Sequence, residues 1–167
     1  DQCLDGSLNT IKASNLIAKA SGAQGMIAGQ IKDILSEGIT IPEEELLYMH
    51  KNKTGELIKA AVLCGATLGN ADDVDLSYLG EYGDKLGLAF QIKDDILDVI
   101  GDVTVLGKNT KSDESNNKTT FITMYGLEKC KQKCNDLTQE CFKILNQVTV
   151  NTKSLEEITE SLLRREY

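Results

Sequence analysis

The sequence predicts an all-α chain, and three observations predict it. Apolar residues recur at helical spacing along nearly all 167 residues, and no stretch alternates as a half-buried strand does. The chain has a single proline, so little in it breaks a helix. Its punctuation is also helical. Pro42 followed by Glu43, Glu44 and Glu45 is a helix start, because proline fits the first turn and acids favour the positive end of the helix dipole.

The elements follow in order. A first helix is predicted from Leu8 to Ala20, interrupted by Ser21-Gly22. A second runs from Ala23 to Ser36 and stops at Gly38. The helix opened by Pro42 reaches about Lys51. Asn52-Lys53-Thr54 reads as a junction, and a further helix continues to Leu68, closed by Gly69-Asn70. The longest helix starts at Asp72 or Asp75 and ends near Ile100, at Gly101. A polar loop is predicted over 102–118, with Asp113 to Lys118 as its most mobile part. Helices resume at Thr119–Tyr125, Leu127–Gln147 and Ser154–Arg165. No repeat and no linker divides the chain, so residues 1–167 read as part of one domain.

Charge narrows the function classes. A formal net charge of −8 argues against nucleic acid, which selects basic stripes. It also repels phosphorylated substrates unless metal cations stand between the two negative partners. No apolar run approaches membrane-span length and no leader pattern marks secretion, so a cytoplasmic protein is expected. Of five cysteines, Cys130, Cys134 and Cys141 fall within about 40° of one another on a helix. They lack a fourth ligand and metal-like spacing, and share their face with Leu137 and Ile144. They read as small core residues rather than ligands or a disulfide framework.

The informative segment is Phe90-Gln91-Ile92-Lys93-Asp94-Asp95-Ile96-Leu97-Asp98. On a helix, Gln91, Asp94, Asp95 and Asp98 fill one arc of about 100°. Ala89, Ile92, Ile96, Val99 and Ile100 are expected on the other side. This polar stripe holds three carboxylates and no cation. Like charges at this spacing repel, so compensating charge must come from elsewhere. Hard oxygen donors on a short arc suit magnesium, which takes one or two carboxylates together with water and phosphate oxygens. An ordinary acidic solvent face is the alternative. Gly83 and Gly87, upstream on the same side, bare the backbone for a close approach by a helix or a ligand. Two other patterns fail. Asp73-Val74-Asp75 begins like a calcium loop but has Tyr78 where glycine is needed. Gly101 to Lys108 has one residue too many for a phosphate-binding loop and is followed by Asn109.

Several ordered elements resemble the trans-isoprenyl diphosphate synthases, the farnesyl and geranylgeranyl diphosphate synthase family. Gly25-Met26-Ile27-Ala28-Gly29-Gln30 resembles its Gly-Met-x-x-Gly-Gln helix, Lys53-Thr54-Gly55 its Lys-Thr-Gly element, and Gln91 with Asp94-Asp95-x-x-Asp98 its second aspartate-rich motif. Gly101-Asp102, Gly107-Lys108, Ser112-Asp113 and Lys118-Thr119 follow in the family's order. The resemblance implies an all-α helical bundle of the isoprenoid synthase (class I terpenoid synthase) type, incomplete at its N-terminus, with this chain as the C-terminal part of a single domain. It implies a prenyltransferase that condenses an allylic diphosphate with isopentenyl diphosphate, with a farnesyl or geranyl product, and a homodimer. It further implies that Asp94, Asp95 and Asp98 bind Mg2+. Lys53, Lys108 and Lys118 would contact the diphosphate or close the loop over it, and Thr54 and Gln91 would line the site near the allyl group. The family's first aspartate-rich motif is expected upstream of Asp1, so the isolated chain is expected to be inactive and to leave apolar faces uncovered. A noncatalytic helical subunit or interaction partner, and a class I terpene cyclase, are the competing readings.

Overall fold

The computed structural model describes residues 6–105 and 118–165, with side chains described as far as residue 101 in the first stretch. The described residues are helical throughout, without a strand. The helices are α1 (Leu8–Ser21), α2 (Met26–Leu35), α3 (Glu43–His50), a π-helical turn (Lys51–Gly55), α4 (Glu56–Leu68), α5 (Asp73–Val105), α6 (Phe121–Tyr125), α7 (Leu127–Leu145) and α8 (Lys153–Arg164).

Besides shifts of one or two residues, such as α6 starting at Phe121 rather than Thr119 and α7 ending at Leu145 rather than Gln147, three boundaries differ from the sequence reading. α2 starts three residues late, because residues 22–25 form a turn that ends at Gly25. The predicted junction at Asn52-Lys53-Thr54 is not a break. The chain stays helical from Glu43 to Leu68, and the π-helical turn absorbs the irregularity with wider i→i+5 bonding. α5 does not end at Gly101 but continues to Val105, since one helical glycine costs only about 1 kcal/mol.

α5 is the axis of the fold. It packs on α4 and the π-helical turn along one side and on α7 along the other, with α6 and α8 closing over it. Tyr82, Leu86, Ala89, Ile92 and Ile96 of α5 are buried, together with Leu46, Phe121, Leu145 and the cysteine stripe of α7. Each large apolar side chain so buried contributes about 1.5–3 kcal/mol. The cysteine face forms as its spacing requires: Cys130, Cys134 and Cys141 are buried and unbridged. The described cysteines are all free thiols.

Polar anchors fix the ends of α5. Asp72 Oδ1 accepts from the N–H of Asp75 at 2.8 Å, an N-terminal cap. Asp75 is only 1% exposed and accepts from the N–H and Oγ1 of Thr149, at 2.9 and 2.7 Å. That carboxylate is therefore a structural tie, consistent with the failed calcium pattern.

Two close approaches set the position of the π-helical turn. A Cβ on Gly87 would lie 2.8 Å from Gly55 Cα, so α5 and the turn touch backbone to backbone. A Cβ on Gly29 would lie 2.1 Å from Lys53 N, so α2 does the same on another side.

Packing on α2 runs opposite to its hydropathy. Gly29 and Asp33 are buried, whereas Ile27, Ile31, Ile34 and Leu35 are exposed. Leu8, Ile11 and Ile17 of α1 are exposed as well. These are the uncovered apolar faces that the sequence reading expected. No helix among the described residues is long and apolar enough to cross a membrane.

Candidate active site

The polar stripe of α5 does not face open solvent. A cavity of about 310 Å³ is lined by Gln91, Asp94, Asp95 and Asp98 from α5, by Lys53 and Thr54 from the π-helical turn, and by Asp33 from α2. Met49 and His50 from α3 and the segment Lys118-Thr119-Thr120 complete it. Seven of the eight residues singled out as site residues therefore meet in one place. The eighth, Lys108, lies outside the described residues, as do Gly107, Ser112 and Asp113.

The three aspartates have different surroundings. Asp94 Oδ1 pairs with the guanidinium of Arg165, which also stacks over the Phe90 ring with its carbon 4.3 Å from the centroid. This corrects the expectation of a stripe without a cation: the compensating charge arrives 71 residues later in the chain. Burial raises the Asp94 carboxyl above its ordinary range, and Arg165 only partly offsets that. Asp95 Oδ2 accepts the Phe121 N–H at 2.7 Å and so caps the first turn of α6. Asp98 is the most exposed of the three. On the apolar side, Ala89, Ile92 and Ile96 are buried as expected, but Val99 is 38% exposed because the packed face turns away near the helix end.

Gln91 is fixed by two contacts. Its Oε1 lies 2.6 Å from His50 Nδ1, and its amide nitrogen lies 3.4 Å from Asp94 Oδ2. The His50 ring stacks on Phe121 at 5.1 Å. Burial lowers the His50 pKa, although the bond to Gln91 opposes the shift; Nδ1 faces the amide oxygen of Gln91 and donates to it.

The cations converge on a residue the sequence reading did not select. Asp33 lies one turn after Gly29 on the same face of α2. Its Oδ2 is 2.5 Å from Lys53 Nζ and its Oδ1 is 2.9 Å from Lys118 Nζ. Burial alone would raise this carboxyl, but Lys118 and Lys53 outweigh it and hold the pKa below the usual carboxylate value. Lys118 is carried there by its neighbour. Thr119 Oγ1 accepts the Ile41 N–H at 3.1 Å, which docks the segment beside the end of α2.

Asp33, His50 and Arg165 were thus missed from sequence. For Asp33 there was a signal: an acid four residues after a helical glycine, on a face that glycine marks for close approach. Arg165 gave none, because its partner is remote in sequence.

The donor set fits a hard divalent cation in one particular way. Among the described residues, no three His, Cys, Asp or Glu side chains converge to hold a metal on their own. Magnesium does not need such a cage. It binds through one or two carboxylates and completes its shell with water and phosphate oxygens. Asp94 and Asp98, one turn apart on α5 and lining a cavity that Lys53 and Lys118 also line, suit that mode.

Comparison with known proteins bears on the same region. The profile of the polyprenyl synthetase family matches residues 3–162. A farnesyl diphosphate synthase of Micrococcus luteus is 42% identical over 161 residues, covering 92% of this chain and 55% of that enzyme. The farnesyl diphosphate synthase of Escherichia coli is 39% identical over 153 residues, covering 89% of this chain and 51% of that enzyme. Among solved structures, a geranyltransferase of Helicobacter pylori complexed with magnesium and isoprenyl diphosphate aligns with a TM-score of 0.76 and 30% identity, over 95% of this chain and 52% of that one. The chain spans about half the length of the curated relatives it matches.

Proposed function

The chain belongs to the polyprenyl synthetase family, and from that premise we propose that it supplies one metal and diphosphate half-site of a prenyltransferase. The reaction joins an allylic diphosphate to isopentenyl diphosphate, with a farnesyl or geranyl product. The chain is the C-terminal part of a single helical domain in this reading. One observation carries it: the carboxylates of Asp94, Asp95 and Asp98 share a cavity with Lys53 and Lys118.

Departure of diphosphate from the allylic carbon builds negative charge on the leaving oxygens, and cations placed there stabilise the transition state. Mg2+, when bound, supplies Lewis-acid stabilisation of that charge. Asp94 and Asp98 would hold it from α5. Asp95 fixes α6 through Phe121 and lines the same cavity. Lys53 and Lys118 bind the diphosphate as point charges, with Lys108 assigned the same task. Thr54 and Gln91 line the cavity beside them and orient the allyl group, Gln91 being held by His50. The double bond of isopentenyl diphosphate attacks the allylic cation, and the cation so formed loses a proton to the departed diphosphate, which leaves the lengthened diphosphate product. A homodimer in the cytoplasm belongs to this reading.

The test is stability under added ligand. Mg2+ and pyrophosphate together are expected to stabilise the chain by about 2.7 kcal/mol at a hundredfold excess over the dissociation constant, with little effect from either alone. The Asp94→Asn/Asp98→Asn variant is expected to lose the response. An unchanged unfolding midpoint with both ligands refutes the half-site. With allylic and isopentenyl diphosphate, the isolated chain is expected to form no product, and clear turnover would refute the half-site division.

A further inference from the structure

We propose that Asp33 is a positioning residue that gathers Lys53 and Lys118 into one cation pair for the diphosphate. The proposal rests on the diphosphate reading above and assigns the residue that builds that subsite.

Three observations carry it. Asp33 is 5% exposed, and its two oxygens are divided between two ammonium groups, at 2.5 and 2.9 Å. Buried Asp75 also accepts two hydrogen bonds, but both come from one residue, Thr149, outside the cavity. Asp33 takes two partners from separate segments, and both of those lysines line the cavity. The surrounding backbone is built to allow this. Gly29, one turn earlier, lets the backbone of Lys53 rest directly on α2, and Thr119, the neighbour of Lys118, is pinned to Ile41.

The physical reason for such a device is repulsion. Two ammonium groups brought to one carboxylate stand a few ångströms apart and repel each other. Without an anion between them, the one on the shorter anchor swings to water. That lysine is Lys118, which stands in a connecting segment, whereas Lys53 is held in the π-helical turn. Asp33 thus keeps both cations in place before the ligand arrives, and ordering them in advance lowers the cost of binding.

The sign of one measurement separates this from simple charge balance. If Asp33 only lowered the local positive potential, Asp33→Asn would tighten pyrophosphate. Positioning requires the opposite: binding of pyrophosphate with Mg2+, followed by calorimetry, is expected to weaken about tenfold in Asp33→Asn. Lys118→Met is expected to weaken it in the wild-type background and to add nothing in the Asp33→Asn background. Competitive acetylation read by mass spectrometry tests the pairing without any ligand. Lys53 and Lys118 are expected to react several times faster in Asp33→Asn, while Lys32 and Lys59, paired with Glu45 and Asp84, stay unchanged. Asp33→Glu is expected to restore the slow reaction and only part of the affinity. If Asp33→Asn fails to fold, Asp33→Glu decides alone, since its extra methylene shifts both lysines: undiminished affinity overturns the proposal. Equal or tighter pyrophosphate binding by Asp33→Asn overturns it too, as does unchanged lysine reactivity. Failure of the wild-type chain to bind pyrophosphate sinks the diphosphate reading, and the acetylation result then decides the pairing by itself.

Discussion

Gly29→Ala is the most direct perturbation of the site that leaves every polar side chain in place. An alanine Cβ there would lie 2.1 Å from Lys53 N, 2.6 Å from Lys53 Cα and 2.8 Å from Asn52 C. All three are backbone atoms, so no rotamer change relieves the contact. Ordinary van der Waals contact starts at 3.4 Å, so α2 and the π-helical turn must part by 3.4 − 2.1 = 1.3 Å. If that movement falls along the Lys53–Asp33 bond, 2.5 Å becomes about 3.8 Å, beyond hydrogen-bond reach. Overpacking of this kind costs about 1–3 kcal/mol, and the rigidity of both elements argues for the upper end. The ion pair, buried at its carboxylate but 34% exposed at its lysine, adds about 1 kcal/mol, because water reaches one end of it. A loss of about 2–3 kcal/mol is expected in urea unfolding followed by helical circular dichroism, with an unchanged m-value. Gly65→Ala is the control. Gly65 stands inside α4 with nothing within 4 Å of its added Cβ, and the change is expected to stabilise by about 0.4–1 kcal/mol. Should Gly29→Ala unfold within 0.5 kcal/mol of the wild type, the backbone contact between α2 and the π-helical turn would not exist as described.

Asp75→Ala, far from the cavity, is expected to cost about 2–3 kcal/mol in the same urea assay, because it strips the Thr149 N–H and hydroxyl of their acceptors, yet to leave pyrophosphate binding unchanged. The thiols of α7 are expected to react slowly with a thiol reagent at pH 8 and quickly after unfolding. Burial holds Cys130 and Cys134 above the ordinary range and pushes Cys141 up to about 12.

The fold was largely legible because its strongest signals are local. The period of α5 placed Ala89, Ile92 and Ile96 in the core and the aspartates on a shared arc, and both hold. Cys130, Cys134 and Cys141 were readable for the same reason. What escaped was decided by neighbours. The segment at Asn52-Lys53-Thr54 has the composition of a junction, but packing against Gly29 and Gly87 keeps it helical in a widened turn. On α2 the hydropathy pattern points the wrong way. Its isoleucines face outward, and Asp33 is buried because two lysines from elsewhere neutralise it. A pattern read along one helix cannot anticipate an ion pair that another segment completes.

The same logic changes how the aspartate stripe works. Three acids without a cation were expected to depend on a bound metal for their compensation. In the fold each is treated separately: Arg165 pairs with Asp94, the Phe121 N–H occupies one oxygen of Asp95, and Asp98 remains near water. The repulsion that made the stripe conspicuous is therefore already reduced before any ligand binds. A divalent ion that takes Asp94 as a ligand must exchange with a guanidinium that also rests on Phe90, an exchange of one charge-assisted contact for another. Asp33 holds its lysines by the same principle on the facing wall. The cavity thus carries internal counter-ions for its aspartates and for its lysines. Internal counter-ions of this kind let an acidic chain gather carboxylates and lysines around one cavity.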